Sequence, residues 1–190
     1  MGKKFTILLT AQHTGKMENL DLVIQKPDKS GNLREYKVLL GNISNRDNDP
    51  GWWYMQAYDF ASTFRWLLEL INSDSTKFYS SINPAVYIWS ISAELYMKTF
   101  LLKQGDRLEE VVGLKHDLES LRLRCFNIDK DFEQSDLTFL TKNQGPLITF
   151  NGGMRYPQKS GTGFLYQPQM PDSLDFLEEK VRPLVTELIT

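Results

Sequence analysis

The sequence predicts a mainly α-helical protein, a bundle of about five helices preceded by a small antiparallel β element. Two observations lead to this prediction. From residue 53 onward, apolar residues recur at steps of three and four, which is the period of an amphipathic helix. Before residue 45, short apolar runs instead flank a cluster of turn-forming residues at positions 26–32, the pattern of a β-hairpin. We therefore divide the chain into an N-terminal β-hairpin extension, residues 1–45, and a helical bundle, residues 52–190.

The composition is typical of one folded domain of 190 residues, with 41% apolar and 12% aromatic residues. The net charge of −2 gives no global positive field for nucleic acid, although a local basic patch is compatible with it. A single cysteine, Cys125, excludes an intrachain disulfide framework and a multi-cysteine zinc site. No window approaches the roughly 18 apolar residues of a membrane span. We expect a cytoplasmic protein without membrane association, metal or cofactor.

The helices are predicted from apolar periodicity and from helix-ending residues. The first runs from about residue 53 to residue 71, and the second, about 84–104, is apolar almost all round and should be buried. Shorter helices are predicted from about Leu114 and over residues 132–142. Asp172 and Ser173 are expected to cap the last helix, which Pro183 should kink or restart. Its predicted inward face consists of Leu174, Leu177, Val181, Leu184 and Leu188.

A long connection, residues 145–171, precedes the last helix and is rich in glycine and proline. Loops of this length in a compact domain are usually functional or disordered. Its aromatic residues favour an ordered loop that packs on the bundle. They are Phe150, Tyr156, Phe164 and Tyr166.

One narrow polar stripe interrupts the apolar second helix. Ser90, Glu94 and Lys98 follow one another at four-residue steps, so they share one side of the helix. Glu preceding Lys by four residues is the favourable order for a helical ion pair. The stripe is either a solvated face or the lining of a polar pocket inside the bundle, and the spacing is compatible with both interpretations.

His116 and Asp117 stand at the predicted start of a helix. A histidine can act as a general acid or base near neutral pH, and a helix N-terminus offers unpaired backbone N–H groups to an anion. A histidine in this position is also often only a capping or packing residue. The other histidine, His13, lies in an early polar segment and suggests no role.

Arg155 and Tyr156 lie in the long connection, directly after Gly152, Gly153 and Met154. Arg155 could bind a phosphate or carboxylate through two parallel hydrogen bonds, or it could pair with Glu94 and hold the loop in place. A further set of basic residues would form an anion-attracting surface if its members converge, although such residues are usually just solvated. The set is Lys103, Arg107, Lys115, Arg122, Arg124 and Lys159.

Three of these segments, in this order, resemble the pattern of the HEPN superfamily. They are residues 93–98 with Glu94 and Lys98, residues 115–121 with His116 and Asp117, and residues 155–157. In many of those proteins a helix with a glutamate four residues before a lysine precedes an H-D-L-x-x-L helix, and an R-Y-P element follows. The resemblance covers about residues 52–190 and leaves out the N-terminal β segment.

The resemblance implies a four- to five-helix up-and-down bundle that commonly dimerises. It also implies a prokaryotic toxin–antitoxin, abortive-infection or other defence context, with RNA or nucleotide as ligand. Family members that are RNases carry an R-x4-6-H motif, whose arginine and histidine form a metal-independent site. Here the arginine position falls on Glu109, Glu110 or Val111, and Arg107 lies too far before His116 for the motif.

Three functional hypotheses follow, and the sequence leaves open whether the protein is an enzyme. The first is an RNA- or nucleotide-binding protein. The second is a metal-independent endoribonuclease in which His116 and Arg107 would be catalytic. The third is a non-catalytic dimeric interaction module with a further partner protein. For the first hypothesis, the predicted ligand-binding residues are Glu94, Lys98, His116, Asp117, Arg155 and Tyr156.

Overall fold

The computed structural model describes residues 6–10, 21–27, 32–39, 49–74, 78–143 and 166–189, the strands by their backbone alone. Most of these residues lie in helices, which confirms the mainly α-helical class. Among the helices that are described, none is both long enough and apolar enough to cross a membrane. The predicted loop of residues 145–171 is described only from Tyr166 onward.

Four short backbone segments pair antiparallel in the order β1-β2-β3-β4. The last of them comes from the C-terminal end of the chain and pairs with β3, Leu188 opposite Tyr36. Leu188 therefore does not lie on the last helix as predicted, because Thr186 is already extended, with φ −124° and ψ 151°. The strands are β1 (Thr6–Thr10), β2 (Asp21–Pro27), β3 (Leu33–Leu39) and β4 (Thr186–Ile189).

Two long helices, α1 (Pro50–Ser73) and α2 (Phe78–Lys103), pack along each other. Asp49 caps α1 by accepting a hydrogen bond from the backbone N–H of Gly51 at 2.8 Å. The two helices run antiparallel, since Tyr54 contacts Tyr96 while Ala57, further along α1, accepts a hydrogen bond from Ser92. Helix α2 begins six residues before the predicted start at position 84 and continues through Pro84.

The described residues contain four shorter helices as well: α3 (Leu108–Gly113), α4 (Leu118–Ile128), α5 (Ser135–Asn143) and α6 (Met170–Val185). Helix α3 was not predicted, and α4 begins later than Leu114. The helix predicted over residues 132–142 divides at Gln134 into a 3-10 turn, Lys130–Glu133, and α5.

Helix α6 begins and ends differently from the prediction. It starts at Met170, so Asp172 and Ser173 lie in its first turn and do not cap it, and Gln169 at the cap makes no side-chain cap bond. Pro183 lies inside the helix without a restart, two residues before its end. A proline removes one hydrogen-bond donor, and near the C-terminus of a helix few later turns depend on it.

Helix α2 lies at the centre of the core and contacts α1, α3, α4 and α6. Its Trp89 is fully buried and donates a hydrogen bond from Nε1 to Ser173 Oγ at 3.0 Å, which joins α2 to α6. The prediction that this apolar helix is buried is confirmed by the zero exposure of several of its side chains. They are Ala85, Val86, Trp89, Ala93, Tyr96, Met97 and Leu101.

Candidate functional site

The polar stripe on α2 is buried. Ser90 is 3% exposed, Glu94 9% and Lys98 6%. Interpretation of this stripe as a solvated helix face is therefore wrong, because neighbouring elements cover it. A buried carboxylate and a buried ammonium group each carry a large desolvation cost unless they are paired and hydrogen-bonded.

Glu94 and Lys98 form the predicted ion pair. Lys98 Nζ donates a hydrogen bond to Glu94 Oε1 at 2.7 Å. The same ammonium group lies 6.0 Å from the ring centre of Trp53 on α1, at the outer limit of a cation–π contact. Lys98 thus has two neighbours that fix its position, and its charge offsets that of the Glu94 carboxylate.

His116 completes the site from the connection between α3 and α4. Its Nδ1 lies 3.1 Å from Glu94 Oε1 and 3.0 Å from Glu94 Oε2. The imidazole side chain is 55% exposed, whereas that of Glu94 is only 11% exposed. Within the described residues, no hydrogen-bond partner is found for Nε2 of this ring. The three side chains together are called the Glu94–Lys98–His116 site.

The backbone on either side of His116 explains its placement. Lys115 has a φ of 54°, a left-handed conformation that is uncommon for a residue other than glycine. Asp117 then caps α4, and its two carboxylate oxygens accept hydrogen bonds from the Ser120 backbone N–H at 3.1 Å and the Ser120 hydroxyl at 2.7 Å. Asp117 therefore acts as a helix cap in this structure, while the adjacent histidine reaches Glu94.

Of the two predicted arginines, Arg107 does not join the site among the described residues. Arg107 has a 78% exposed side chain and pairs with Glu110, through Nη2 at 2.6 Å and Nε at 3.0 Å. It makes no described contact with His116. Arg155 and Tyr156 lie outside the described residues, so their predicted contribution stays a prediction.

The wider basic set does not form one free anion-attracting surface among the described residues. Arg122 is only 3% exposed, binds Glu119 at 2.8 Å and donates to the Phe132 carbonyl at 3.2 Å. Arg124 pairs with Asp106 at 2.9 Å. Two of the remaining members, Lys103 and Lys115, are exposed, and Lys159 is not described.

A second buried polar cluster was not predicted. Glu178 on α6 is 1% exposed and lies 3.2 Å from Arg65 Nη2 on α1 and 3.3 Å from Arg182 Nη1. Arg65 also binds Asp175 at 2.5 Å. The sequence did carry a signal for it, since Glu178 falls on the apolar face of the last helix between Leu177 and Val181. This group, with its neighbouring tyrosines, is called the Glu178 cluster.

The three tyrosines of the Glu178 cluster, Tyr54, Tyr58 and Tyr96, have raised pKa values. Burial, with the nearby Glu178 charge as the next cause, raises the pKa of Tyr58 to about 12 and the pKa values of Tyr54 and Tyr96 well above the ordinary range. Among the described residues, the buried hydroxyl of Tyr96 has no hydrogen-bond partner. Burial beside Glu178 therefore favours the neutral form of all three phenols.

In the described ranges, no three histidine, cysteine or acidic side chains are grouped in a way that could hold a metal ion. The Glu94–Lys98–His116 site instead offers one hydrogen-bonding ring nitrogen at a half-exposed position.

No protein-family model matches the chain. No curated protein and no solved structure matches it either.

Proposed function

We propose that the protein binds RNA or a nucleotide at the Glu94–Lys98–His116 site, within a HEPN-like up-and-down helical bundle. The observation that supports this proposal most is the half-exposed imidazole of His116, held from behind by a buried carboxylate. The prokaryotic defence or toxin–antitoxin context and the small β element in front of the bundle belong to the same proposal; the first is implied by the family resemblance, and the second by the pattern of residues 1–45.

The chemistry of the site suits a ligand with hydroxyl and phosphate groups. Lys98 offsets the charge of Glu94, so the pair adds little net charge, and the imidazole adds one positive charge when it is protonated. Its Nε2 can accept a hydrogen bond when the ring is neutral and donate one when the ring is protonated. Lys115, the exposed residue before His116, adds a cation beside it on the chain.

Isothermal titration with nucleoside monophosphates and a short single-stranded RNA tests this proposal. Lys98→Ala and Arg155→Ala should each weaken binding, because the first disturbs the Glu94 carboxylate and the second removes a predicted phosphate contact. Lys103→Ala, on the exposed end of the same helix as Lys98, is the matched control and should bind like the wild type. Unchanged affinity in both test variants would contradict the proposal.

A metal-independent endoribonuclease is the second candidate function, and the orientation of His116 favours it. A carboxylate behind a histidine is the arrangement by which many enzymes hold a general base in position. Cleavage of RNA in EDTA by the wild type, with loss in His116→Ala and retention in His13→Ala, would support it. Equal cleavage by His116→Ala would point to a contaminating nuclease.

We also propose that the chain forms a homodimer, as the resemblance implies, and this interaction module is the third candidate. Exposed large apolar side chains support an interaction surface, and the most exposed is Trp66 at 59%. Light scattering after gel filtration should give about twice the chain mass of 22.0 kDa. A monomeric mass at high protein concentration would contradict dimerisation. Besides Trp66, the exposed large apolar side chains in the described residues are Val112, Leu123, Ile128 and Phe139.

A further inference from the structure

The contact between His116 and Glu94 determines which ring nitrogen carries the proton. Nδ1 lies within 3.1 Å of both carboxylate oxygens, and an ionised carboxylate can only accept hydrogen bonds. If Nδ1 were the unprotonated nitrogen, its lone pair would face two negatively charged oxygens. The stable neutral form is therefore the one in which Nδ1–H donates to Glu94.

We infer that Glu94 is a positioning residue that fixes His116 in the Nδ1–H tautomer, so that Nε2 is the atom that meets the ligand. For the ligand, this inference rests on the proposed function; for the tautomer, it rests on the contact alone. In the neutral ring Nε2 then presents a lone pair, which accepts a hydrogen bond from a hydroxyl group or takes its proton. The opposite tautomer would present an N–H group to the same ligand.

Lys98 is the second part of this arrangement. Its ammonium group binds the Oε1 atom of Glu94 at 2.7 Å, and its side chain is only 8% exposed. Glu94 and Lys98 lie one turn apart on α2, in the centre of the core, so the carboxylate is held from a rigid helix. Such outer contacts fix the orientation of a ring that itself lies on a connection between helices.

The burial pattern supports the same assignment. The Glu94 carboxylate is 11% exposed on its side chain and the imidazole 55%, so the ring passes from the protein interior to solvent. Because Nδ1 and Nε2 lie on different sides of the ring, engagement of Nδ1 with Glu94 leaves Nε2 as the nitrogen available to a ligand. The described residues supply no competing hydrogen-bond partner for it.

Nuclear magnetic resonance of the ¹⁵N-labelled full chain tests the inference directly. Long-range ¹H–¹⁵N correlations at alkaline pH, where imidazoles are neutral, distinguish the two tautomers of a histidine. The chain has only two histidines, so a His13→Ala variant leaves His116 as the single set of signals. We expect the Nδ1–H pattern for His116 in otherwise unchanged protein.

Glu94→Gln supplies the matched variant, because glutamine keeps the shape of the side chain but can donate as well as accept. It should populate the Nε2–H tautomer of His116, while Lys103→Gln should leave the pattern unchanged. An Nε2–H pattern for His116 in the wild type would overturn the inference, whether or not Glu94→Gln folds. So would an unchanged Nδ1–H pattern in a folded Glu94→Gln protein.

The outcome is separable from that of the proposed function. An Nδ1–H pattern in a protein that binds neither RNA nor nucleotide would contradict the proposed function and uphold the role of Glu94. Binding that is lost on His116→Ala, in a protein whose His116 shows the Nε2–H pattern, would overturn the role of Glu94 and uphold the proposed function.

Discussion

Glu94 and Glu178 are both buried carboxylates, but the side chains that surround them differ in their exposure to solvent. Both lie on helices of the core, and in the described residues each forms ion pairs with side-chain nitrogens, Glu94 with Lys98 and His116, Glu178 with Arg65 and Arg182. The Glu178 cluster is closed by arginines and tyrosines of the chain itself, and Glu178 is 1% exposed. At Glu94 one partner, His116, is a half-exposed ring whose Nε2 has no hydrogen-bond partner among the described residues. Burial of a charge is thus common to both, and an outward-facing partner distinguishes the candidate site.

The largest expected effect is on stability, at the Glu178 cluster. Glu178→Ala should lower the free energy of unfolding by about 3 kcal/mol, because it removes the buried carboxylate that Arg65 and Arg182 share. Urea denaturation measures it. The matched control is Glu179→Ala, an exposed neighbour on the same helix, which should change stability by less than about 0.5 kcal/mol. If Glu178→Ala also changed the free energy of unfolding by less than about 0.5 kcal/mol, the Glu178 cluster would not stabilise the fold.

The raised pKa values of the tyrosines in the Glu178 cluster predict that the protein loses stability at alkaline pH. The folded-state pKa of Tyr58 is raised from 10.0 to about 12, mainly by burial. Because its pKa is higher in the folded state, the Tyr58 phenol stays protonated to a higher pH there than in the unfolded state. Its contribution to the free energy of unfolding is therefore complete below about pH 10. It should be lost as the pH rises from about 10 towards about 12. Tyr58→Phe should flatten this part of the stability–pH curve, and an unchanged curve would contradict the shift.

A smaller effect, an increase in stability, is expected for Tyr96→Phe. Its hydroxyl is buried and has no hydrogen-bond partner in the part of the chain that the structure describes, so Tyr96→Phe removes a polar group whose desolvation is uncompensated there. The variant should gain about 1 kcal/mol in the free energy of unfolding, measured by urea denaturation. A loss of similar size would show that this hydroxyl is hydrogen-bonded in solution.

The smallest expected effect on stability is at His116. Its side chain is 55% exposed, so His116→Ala should change the free energy of unfolding by less than about 0.5 kcal/mol. The same variant is expected to lose ligand binding. A loss of stability as large as that of Glu178→Ala would place His116 in the structural group and remove the difference between the two regions.

Much of the helical part could be predicted because helices depend on local periodicity. The amphipathic pattern predicted α1 and the burial of α2, and the four-residue spacing predicted the Glu94–Lys98 pair. Helix ends were predicted less well: the chain continues helically through Pro84 and Pro183, and the helix predicted over residues 132–142 is split. Tertiary packing overrides local preference at such positions.

The burial of the polar stripe could not be derived from spacing, because burial depends on which elements cover a helix face. The contact of His116 with Glu94 joins residues 22 positions apart, and that of Glu178 with Arg65 joins residues 113 apart. Only the family resemblance predicted that Glu94 and His116 belong to one site. The Glu178 cluster had only a weak local signal, one carboxylate on an apolar helix face.

Binding of a fluorescently labelled single-stranded RNA, followed by anisotropy, tests the central claim most directly. We predict saturable binding by the wild type and by His13→Ala. His116→Ala should bind at least about tenfold more weakly, which corresponds to about 1.4 kcal/mol and is in the range of one hydrogen bond to a charged group. Equal affinity of wild type and His116→Ala, in proteins of equal stability, would contradict the claim that this histidine meets the ligand.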